Sequence, residues 1–286
     1  MGSCFFVSDL HGGVERWERL FDVVGREAPA AVFLGGDLLP SGFGYVPPAD
    51  GDADFLGGFL ASGLRRLRVG LGAAYPRIFA ILGNDDPRTE EEAVLELERE
   101  GLWTYLHGRK AALGDHPVYG YGCVPPTPFA LKDWERYDLS RFVDPGTVSP
   151  EEGIRSVPVP ESEVRWGTIA LDLQALAGED DLSRAIFLFH SPPHDTVLDR
   201  AALDGKSVDH APLDPHVGSI AIRKFLAARQ PLVSLHGHVH ESARLTGAWR
   251  DRLGCTRLLG AAHDGPELAL VRFDADDPEG ATRELL

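Results

Sequence analysis

The chain of 286 residues is 43% apolar and 25% charged. That is ordinary globular composition, long enough for an α/β core that removes roughly 75% of the unfolded surface from water. Its 28 Lys+Arg stand against 44 Asp+Glu, a formal charge of −16 that argues against non-specific binding to nucleic acid or an anionic bilayer. An anionic substrate stays compatible, because bound cations reverse the field locally.

Cys4, Cys123 and Cys255 are odd in number and far apart, so no disulfide framework and no CxxC zinc site is expected, and a reduced, cytoplasmic setting fits. The opening residues lack the charged start of a signal peptide, and Phe6 stands where a myristoylation site needs Ser or Thr. No apolar run approaches the ~20 residues of a membrane span, so a soluble intracellular protein without a membrane partner is expected.

In chain order, the apolar run Cys4–Val7 predicts a first buried strand. Val14–Val24 follows, with Val14, Trp17, Leu20, Phe21 and Val24 on one helical face. Ala30–Leu34 reads as a second strand. The Gly-, Pro- and Asp-rich Pro40–Asp54 reads as a loop, and Phe55–Leu71 as a helix. Ile78–Leu82 predicts a third strand, and Glu90–Glu100 a helix opened by Asp86-Pro87 and Thr89 as a capping sequence. Proline-rich Val124–Ser162, with Phe129 and Trp134, reads as an insertion or lid whose aromatic residues anchor it or cover a pocket.

Ile186–Phe189 and Leu232–Leu235 complete a set of five continuous apolar runs, the pattern of strands buried on both faces. Ser219–Arg229 lies between them as a helix stopped before Pro231. Arg257–Ala262 and Leu268–Phe273 read as a hairpin turning at Asp264-Gly265-Pro266, with an exposed tail over Asp274–Glu284. Strands alternating with helices indicate an α/β fold.

Every one of the five runs is followed at once by residues that ligate metals: Asp9-Leu10-His11, Asp37, Asn84-Asp85-Asp86, His190, and His236-Gly237-His238-Val239-His240. In open α/β sheets, sites form beyond the carboxyl ends of strands, so these groups can converge although distant in sequence. Asp9 and His11, like His238 and His240, are two apart, which in extended backbone sends both side chains to one side. Asp9, Asp37, Asn84, His11, His190, His238 and His240 make seven N/O donors. That is too many for one tetrahedral ion, but suits two divalent ions sharing a carboxylate. Imidazole and carboxylate without thiolate favour Mn, Fe, Zn or Ni over Ca or Mg.

Asp9-x-His11, Gly36-Asp37, Gly83-Asn84, His190 and Gly237-His238-x-His240, in this order, resemble the calcineurin-like metallophosphoesterase family. The run from His190-Ser191-Pro192-Pro193 through Leu198-Asp199 and His216-Val217-Gly218-Ser219 to His240-Glu241-Ser242 is similar to its Icc-related predicted phosphoesterase branch. The resemblance implies an α/β/β/α sandwich of four layers, built as a single domain over 1–286 with loop insertions near 40–71 and 124–183. It further implies that Asp9, His11 and His240 hold one metal, Asn84, His190 and His238 another, and Asp37 bridges them. The implied reaction is hydrolysis of a phosphate mono- or diester by direct attack of a metal-bridging hydroxide.

Where that family often has Gly-Asn-His-Asp, this chain has Gly83-Asn84-Asp85-Asp86. A carboxylate beside two cations has a depressed pKa and is a poor general acid near neutral pH. Either the substrate carries a good leaving group, or His194 or His216 supplies the proton. Asp86 matches the residue that orients the family's His.

Of the other imidazoles, His236 reads as buried behind the ligands, His107, His116 and His210 as surface residues, and His263-Asp264 as a turn with a minor pocket role left open. The short basic cluster Arg65-Arg66-x-Arg68 reads as a solvated helix face, so a polynucleotide substrate is disfavoured and a small phosphate ester expected. The competing reading is a catalytically weak or inactive relative acting as a metal-bound protein-interaction module, which would be expected to have lost ligands. Specificity is assigned to the loops Pro40–Asp54, Val124–Ser162 and Ser191–Gly218.

Overall fold

The computed structural model of the protein describes residues 2–40 and 54–286. The first half contains β1 (Ser3–Val7), α1 (Val14–Glu27), β2 (Ala31–Gly35), a wide helical turn Phe55–Leu60 running into α2 (Ala61–Leu71), and β3 (Arg77–Ile81). There follow α3 (Glu91–Arg99), β4 (Thr104–Tyr105), β5 (Arg109–Leu113) and β6 (His116–Tyr121). The second half contains α4 (Glu161–Trp166), α5 (Ile169–Ala177), β7 (Ile186–Phe189), the ribbon β8 (Ser207–Val208) with β9 (Ala211–Pro212), α6 (Ile220–Arg229) and β10 (Val233–His236). It ends with α7 (Ser242–Thr246), β11 (Arg250–Leu253), β12 (Thr256–Gly260), β13 (Ala269–Asp274) and β14 (Thr282–Leu285). Most of the loop foreseen at Pro40–Asp54 lies outside the described residues.

Two six-stranded sheets form, ordered β14-β13-β1-β2-β3-β4 and β11-β12-β10-β7-β6-β5. The apolar runs supply β1–β3 of the first and β7 and β10 of the second, each paired in parallel with a neighbour. Alternation along these strands explains why the runs are continuous. Cys4, Phe6, Phe33, Phe79, Ile81, Ile186, Leu188, Val233 and Leu235 share one buried cluster between the sheets. The intervening Phe5, Val7, Val32, Leu34, Ile78, Phe187 and Phe189 pack outward with Trp17, Leu20, Leu64, Leu97, Ile169, Leu173 and Ile222 of the helices. Both faces of each sheet are thereby covered, the helix–sheet–sheet–helix sandwich expected from the sequence.

Four local features differ from the sequence reading. Arg257–Ala262 and Leu268–Phe273 do not form a hairpin. β12 pairs with β10 and β11, while β13 pairs with β1 and β14. The Asp264-Gly265-Pro266 turn lies on a link between sheets, and a sheet separation of about 10 Å is easily crossed by eight residues. The polar tail hides the edge strand β14, which alternating burial would reveal only weakly.

The helix α3 has no side-chain cap at its start, which is preceded by a 3₁₀ turn over Arg88–Glu90. Its foreseen capping residues are engaged elsewhere: the Thr89 amide donates to Ser156 Oγ, and the Asp86 carboxylate accepts amides of other turns. The strands β5 and β6, with Arg109-Lys110 and Pro117 in them, were too polar and irregular to be legible. By contrast Ser219, read as the first residue of its helix, caps α6, accepting from the Ile222 amide at 3.0 Å.

Candidate metal centre

The ends of β1, β2 and β3 in one sheet face the ends of β7 and β10 in the other. The turn after β1 places Asp9 and His11 beside the turn after β2: the Asp9 amide donates to Gly36 O at 3.0 Å and His11 to Asp37 O at 2.8 Å. Across the sheets, the His238 amide donates to both carboxylate oxygens of Asp9 at 2.9 and 3.2 Å. Asp9, His11, Asp37 and His238 all hold positive φ, 60°, 46°, 51° and 73°, a conformation that costs a non-glycine residue of order 1–2 kcal/mol. Close approach explains two neighbouring glycines. A Cβ on Gly83 would meet Asp37 Oδ1 at 2.3 Å and His190 Nε2 at 2.6 Å, and one on Gly237 would collide with Ser8 and Asp9.

The donor atoms of Asp9, His11, Asp37 and His240 lie within 4.8 Å of one another, and so do those of Asp37, His190 and His238. Asp37 belongs to both groups. His240 Nε2 is 3.3 Å from Asp9 Oδ1 and 3.1 Å from His11 Nε2. His190 Nε2 is 3.2 Å from Asp37 Oδ2 and 3.1 Å from Asn84 Oδ1. Ligands about 2.1 Å from a common ion are separated by roughly 3.0 Å in an octahedron and 3.4 Å in a tetrahedron. The four quoted spacings fall between these edges, while His11 Nε2 and Asp37 Oδ2 stand further apart at 3.8 Å; both groups match a divalent cation in donor type and gather within its reach.

His190 Nδ1 is 2.8 Å from Gly35 O, which leaves Nε2 turned towards Asp37 and Asn84. Asp37 Oδ1 also accepts the Asp85 amide at 2.9 Å, so its other oxygen, Oδ2, is the one turned to the imidazoles.

The protein's own charges tune these groups. Burial disfavours a charge on His190, but Asp37, Asp9 and the Gly35 carbonyl outweigh it and carry the imidazole up to about 10. His240, opposed by burial and held by Asp9, rises to about 9. His238, buried and beside His190, falls to about 3. Burial opposes ionisation of Asp9 and Asp37, yet the imidazoles hold both carboxylates below their ordinary range. This set binds protons where cations would otherwise sit.

The Asp85 side chain does not point away from the cluster: its Oδ2 is 3.5 Å from His11 Nδ1. Burial and then the charge of Asp37 push its carboxyl up rather than down; the depression foreseen from the sequence presupposed the field of two cations. Asp86 does not orient a neighbouring side chain. Fully buried, it accepts the amides of Leu38 (3.2 Å), Leu39 (2.8 Å) and Gly83 (2.8 Å), tying the turn after β2 to the turn after β3. Burial and the charge of Asp37 bring it up to about 7.

The histidines proposed as leaving-group acids make other contacts. His194 Nε2 is 3.1 Å from Asp214. His216 Nδ1 is 2.8 Å from the buried Asp199, whose carboxylate also accepts the amides of Asp195, Thr196 and Gly218. These contacts order the loop after β7 and do not reach the seven ligands. His236 is buried, bonded to Ser191 O and Ser234. Two surface expectations fail: His116 is 1% exposed against Arg184 O and Asp276, and His107 is half-buried against Trp134. His263 pairs with Glu267.

Sequence reasoning missed Arg16, whose guanidinium donates to the carbonyls of Asp9, Gly265 and Pro266. Backbone acceptors carry no sequence signal. It also left open the role of Trp134, now seen as a buried anchor donating to Asp86 O at 2.8 Å, while Phe129 is exposed.

The model of the family described as calcineurin-like phosphoesterase matches residues 4–242; the chain belongs to that family. Among solved structures it is similar to the protein TT1561 of Thermus thermophilus, at 17% identity and a TM-score of 0.54, with 99% of this chain and 98% of that one covered. A dimetal phosphatase from Danio rerio is matched at 12% identity and a TM-score of 0.48, over 94% and 91% of the two chains. No curated protein sequence matched. Among the described residues no helix is long and apolar enough to cross a membrane.

Proposed function

We propose that the protein is a dinuclear-metal phosphoesterase acting on a small, soluble phosphate mono- or diester. The observation that carries this reading is Asp37, shared by two groups whose donor atoms all lie within 4.8 Å of one another. Asp9, His11, Asp37 and His240 would hold one cation, and Asp37, Asn84, His190 and His238 the other; Mn, Fe, Zn or Ni suit this donor set. When bound, such a pair supplies a hydroxide nucleophile near neutral pH and neutralises the phosphoryl oxygens.

The residues do the rest. Asp37 fixes the separation of the two groups while the Asp85 amide holds it in place. His190 is oriented by Gly35 O and gives up its Nε2 proton on loading. Asp85 faces the outer nitrogen of His11 and orients that ligand, in the manner of carboxylates behind metal-bound histidines. With Asp85 so engaged, the leaving group departs without a strong side-chain acid, which favours aryl and diester-type substrates. Three free cysteines, two of them buried, suit a reducing cytoplasm.

Metal analysis combined with a panel of mono- and diesters tests the reading, with Asp37→Asn as control. Two metals per chain and metal-dependent hydrolysis, both lost in the variant, are expected. An Asp37→Asn protein that turns over esters as fast as the parent would sink it. A His194→Asn, His216→Asn double variant should keep its turnover; a loss above about tenfold with both metals retained would restore those histidines as acids.

A further inference from the structure

A small cleft open to solvent lies between Arg88, in the turn after β3, His107, and residues 123–164, which include the inserted segment. Two links join it to the turn after β3, which carries Asn84. Trp134, in its wall, donates to Asp86 O, and the Arg88 amide donates to Asp133 at 2.8 Å. Arg88 is four residues after Asn84, so it stands within roughly 14 Å of that ligand even in extended chain.

The lining carries Arg88, Lys132, Arg136 and Arg155 with Asp133, Glu135 and Glu163. Most of the acceptors are engaged inside the protein, Glu163 Oε2 excepted. Glu135 takes Lys132 in a fully buried pair and both Thr127 donors. Glu163 takes Arg136, and Asp133 takes Ser156 and the Arg88 amide.

The donors are not used up. Arg155 spends one Nη1 proton on Pro150 O and has no carboxylate within 4.0 Å among the described residues. Arg88 stacks on Trp134 and gives only Nε to Glu91. His107 accepts the Gly122 amide through Nδ1 at 3.0 Å, so its proton sits on Nε2, which has no acceptor among the described residues. Burial, with the charges of Arg136 and Arg88, keeps that imidazole neutral, down to about 3.

A half-buried recess in which spare guanidinium and imidazole donors outnumber the one spare carboxylate oxygen, Glu163 Oε2, favours an anion. We infer that this cleft is a subsite for a second anionic group, a phosphate or carboxylate, carried by the same substrate as the scissile ester and held by Arg88, Arg155 and His107. The inference rests on the phosphoesterase reading and narrows it to substrates bearing two anions on a span of at most roughly 14 Å, the reach of the chain from Asn84 to Arg88. A free phosphate acting as effector would meet the same chemistry.

Steady-state kinetics of the metal-loaded enzyme separate the sources. A simple aryl phosphate and the same ester carrying a second phosphate within that span are compared in the parent, Arg155→Ala and Arg88→Ala. Expected is a KM about tenfold higher for the two-anion ester in each variant, with kcat and the simple ester unchanged and partial rescue by Arg155→Lys. Equal effects on both esters, or none on either, overturn the assignment, and an effect appearing only as altered response to added inorganic phosphate marks an effector instead.

Calorimetry with inorganic phosphate gives a second readout without turnover: two phosphates per metal-loaded chain, falling to one in Arg155→Ala. An unchanged stoichiometry refutes the subsite. If no ester is hydrolysed but the Arg155-dependent phosphate persists, it is the phosphoesterase reading that fails.

Discussion

Replacing Gly83 by alanine adds one methyl group where two ligands meet. The new Cβ would stand 2.3 Å from Asp37 Oδ1, 2.6 Å from the Asp37 amide and 2.6 Å from His190 Nε2, whereas ordinary contact begins near 3.4 Å. The carboxylate and the imidazole must therefore retreat by roughly 1 Å, several times the ~0.2 Å within which metal sites keep their geometry. Because Asp37 belongs to both donor groups, one displacement disturbs both cations. A misplacement of this size costs on the order of 100-fold in rate, so Gly83→Ala is expected to bind less than one metal per chain and to lose at least that much kcat/KM. Equilibrium dialysis with elemental analysis measures the first and ester hydrolysis the second, with circular dichroism to verify that the protein is folded. A folded variant with two metals at parental affinity and turnover would refute the assignment of Asp37 and His190 to one cradle.

Loading should release protons. At pH 6, His190 (about 10) and His240 (about 9) are charged and His238 (about 3) is neutral. Calorimetry in buffers of different ionisation enthalpy should thus report about two protons per fully loaded chain, and none would contradict the electrostatics. Since both folded values exceed the unfolded one near 6.5, their stabilisation of the metal-free protein is full below that pH. It should fade as pH rises through 9 and 10, which chemical denaturation can follow. Asp86→Asn leaves one acceptor for three buried amides and turns an NH₂ towards the others; a loss of about 2–4 kcal/mol in urea unfolding is expected. Asp85→Asn should weaken metal retention in the group containing His11 by about 10–100-fold without changing stability, measured by chelator competition.

Much of the fold was legible because its strands are buried on both faces, so that Phe5, Phe6 and Val7, or Phe187, Leu188 and Phe189, appear as unbroken apolar runs. The ligands were legible because each follows such a run directly. What escaped has a common physical basis. β14 and β5 lie at the sheet edges, where most residues are wet and the sequence need not be apolar, while β6 is buried but broken up by Pro117, Gly120 and its tyrosines. The pairing of β13 with β1 is non-local, and an Asp-Gly-Pro turn looks the same whether its flanking strands join one sheet or two. Arg16 and Asp86 act through backbone carbonyls and amides, which every residue possesses. Asp85 was placed in the site by its motif, but its orientation towards His11 depends on the turn that Asp86 pins.

The seven candidate ligands come from both sides of the sandwich: Asp9, His11, Asp37 and Asn84 from one sheet, His190, His238 and His240 from the other. Bound ions would therefore act as rivets between two halves that otherwise meet through apolar side chains. Loading should raise the melting temperature, by an amount that keeps growing with the logarithm of free-ion concentration once the sites are filled. Chelation should loosen the seam at the ligand end first, which makes amide exchange at Gly237 and His238 an early reporter of demetallation.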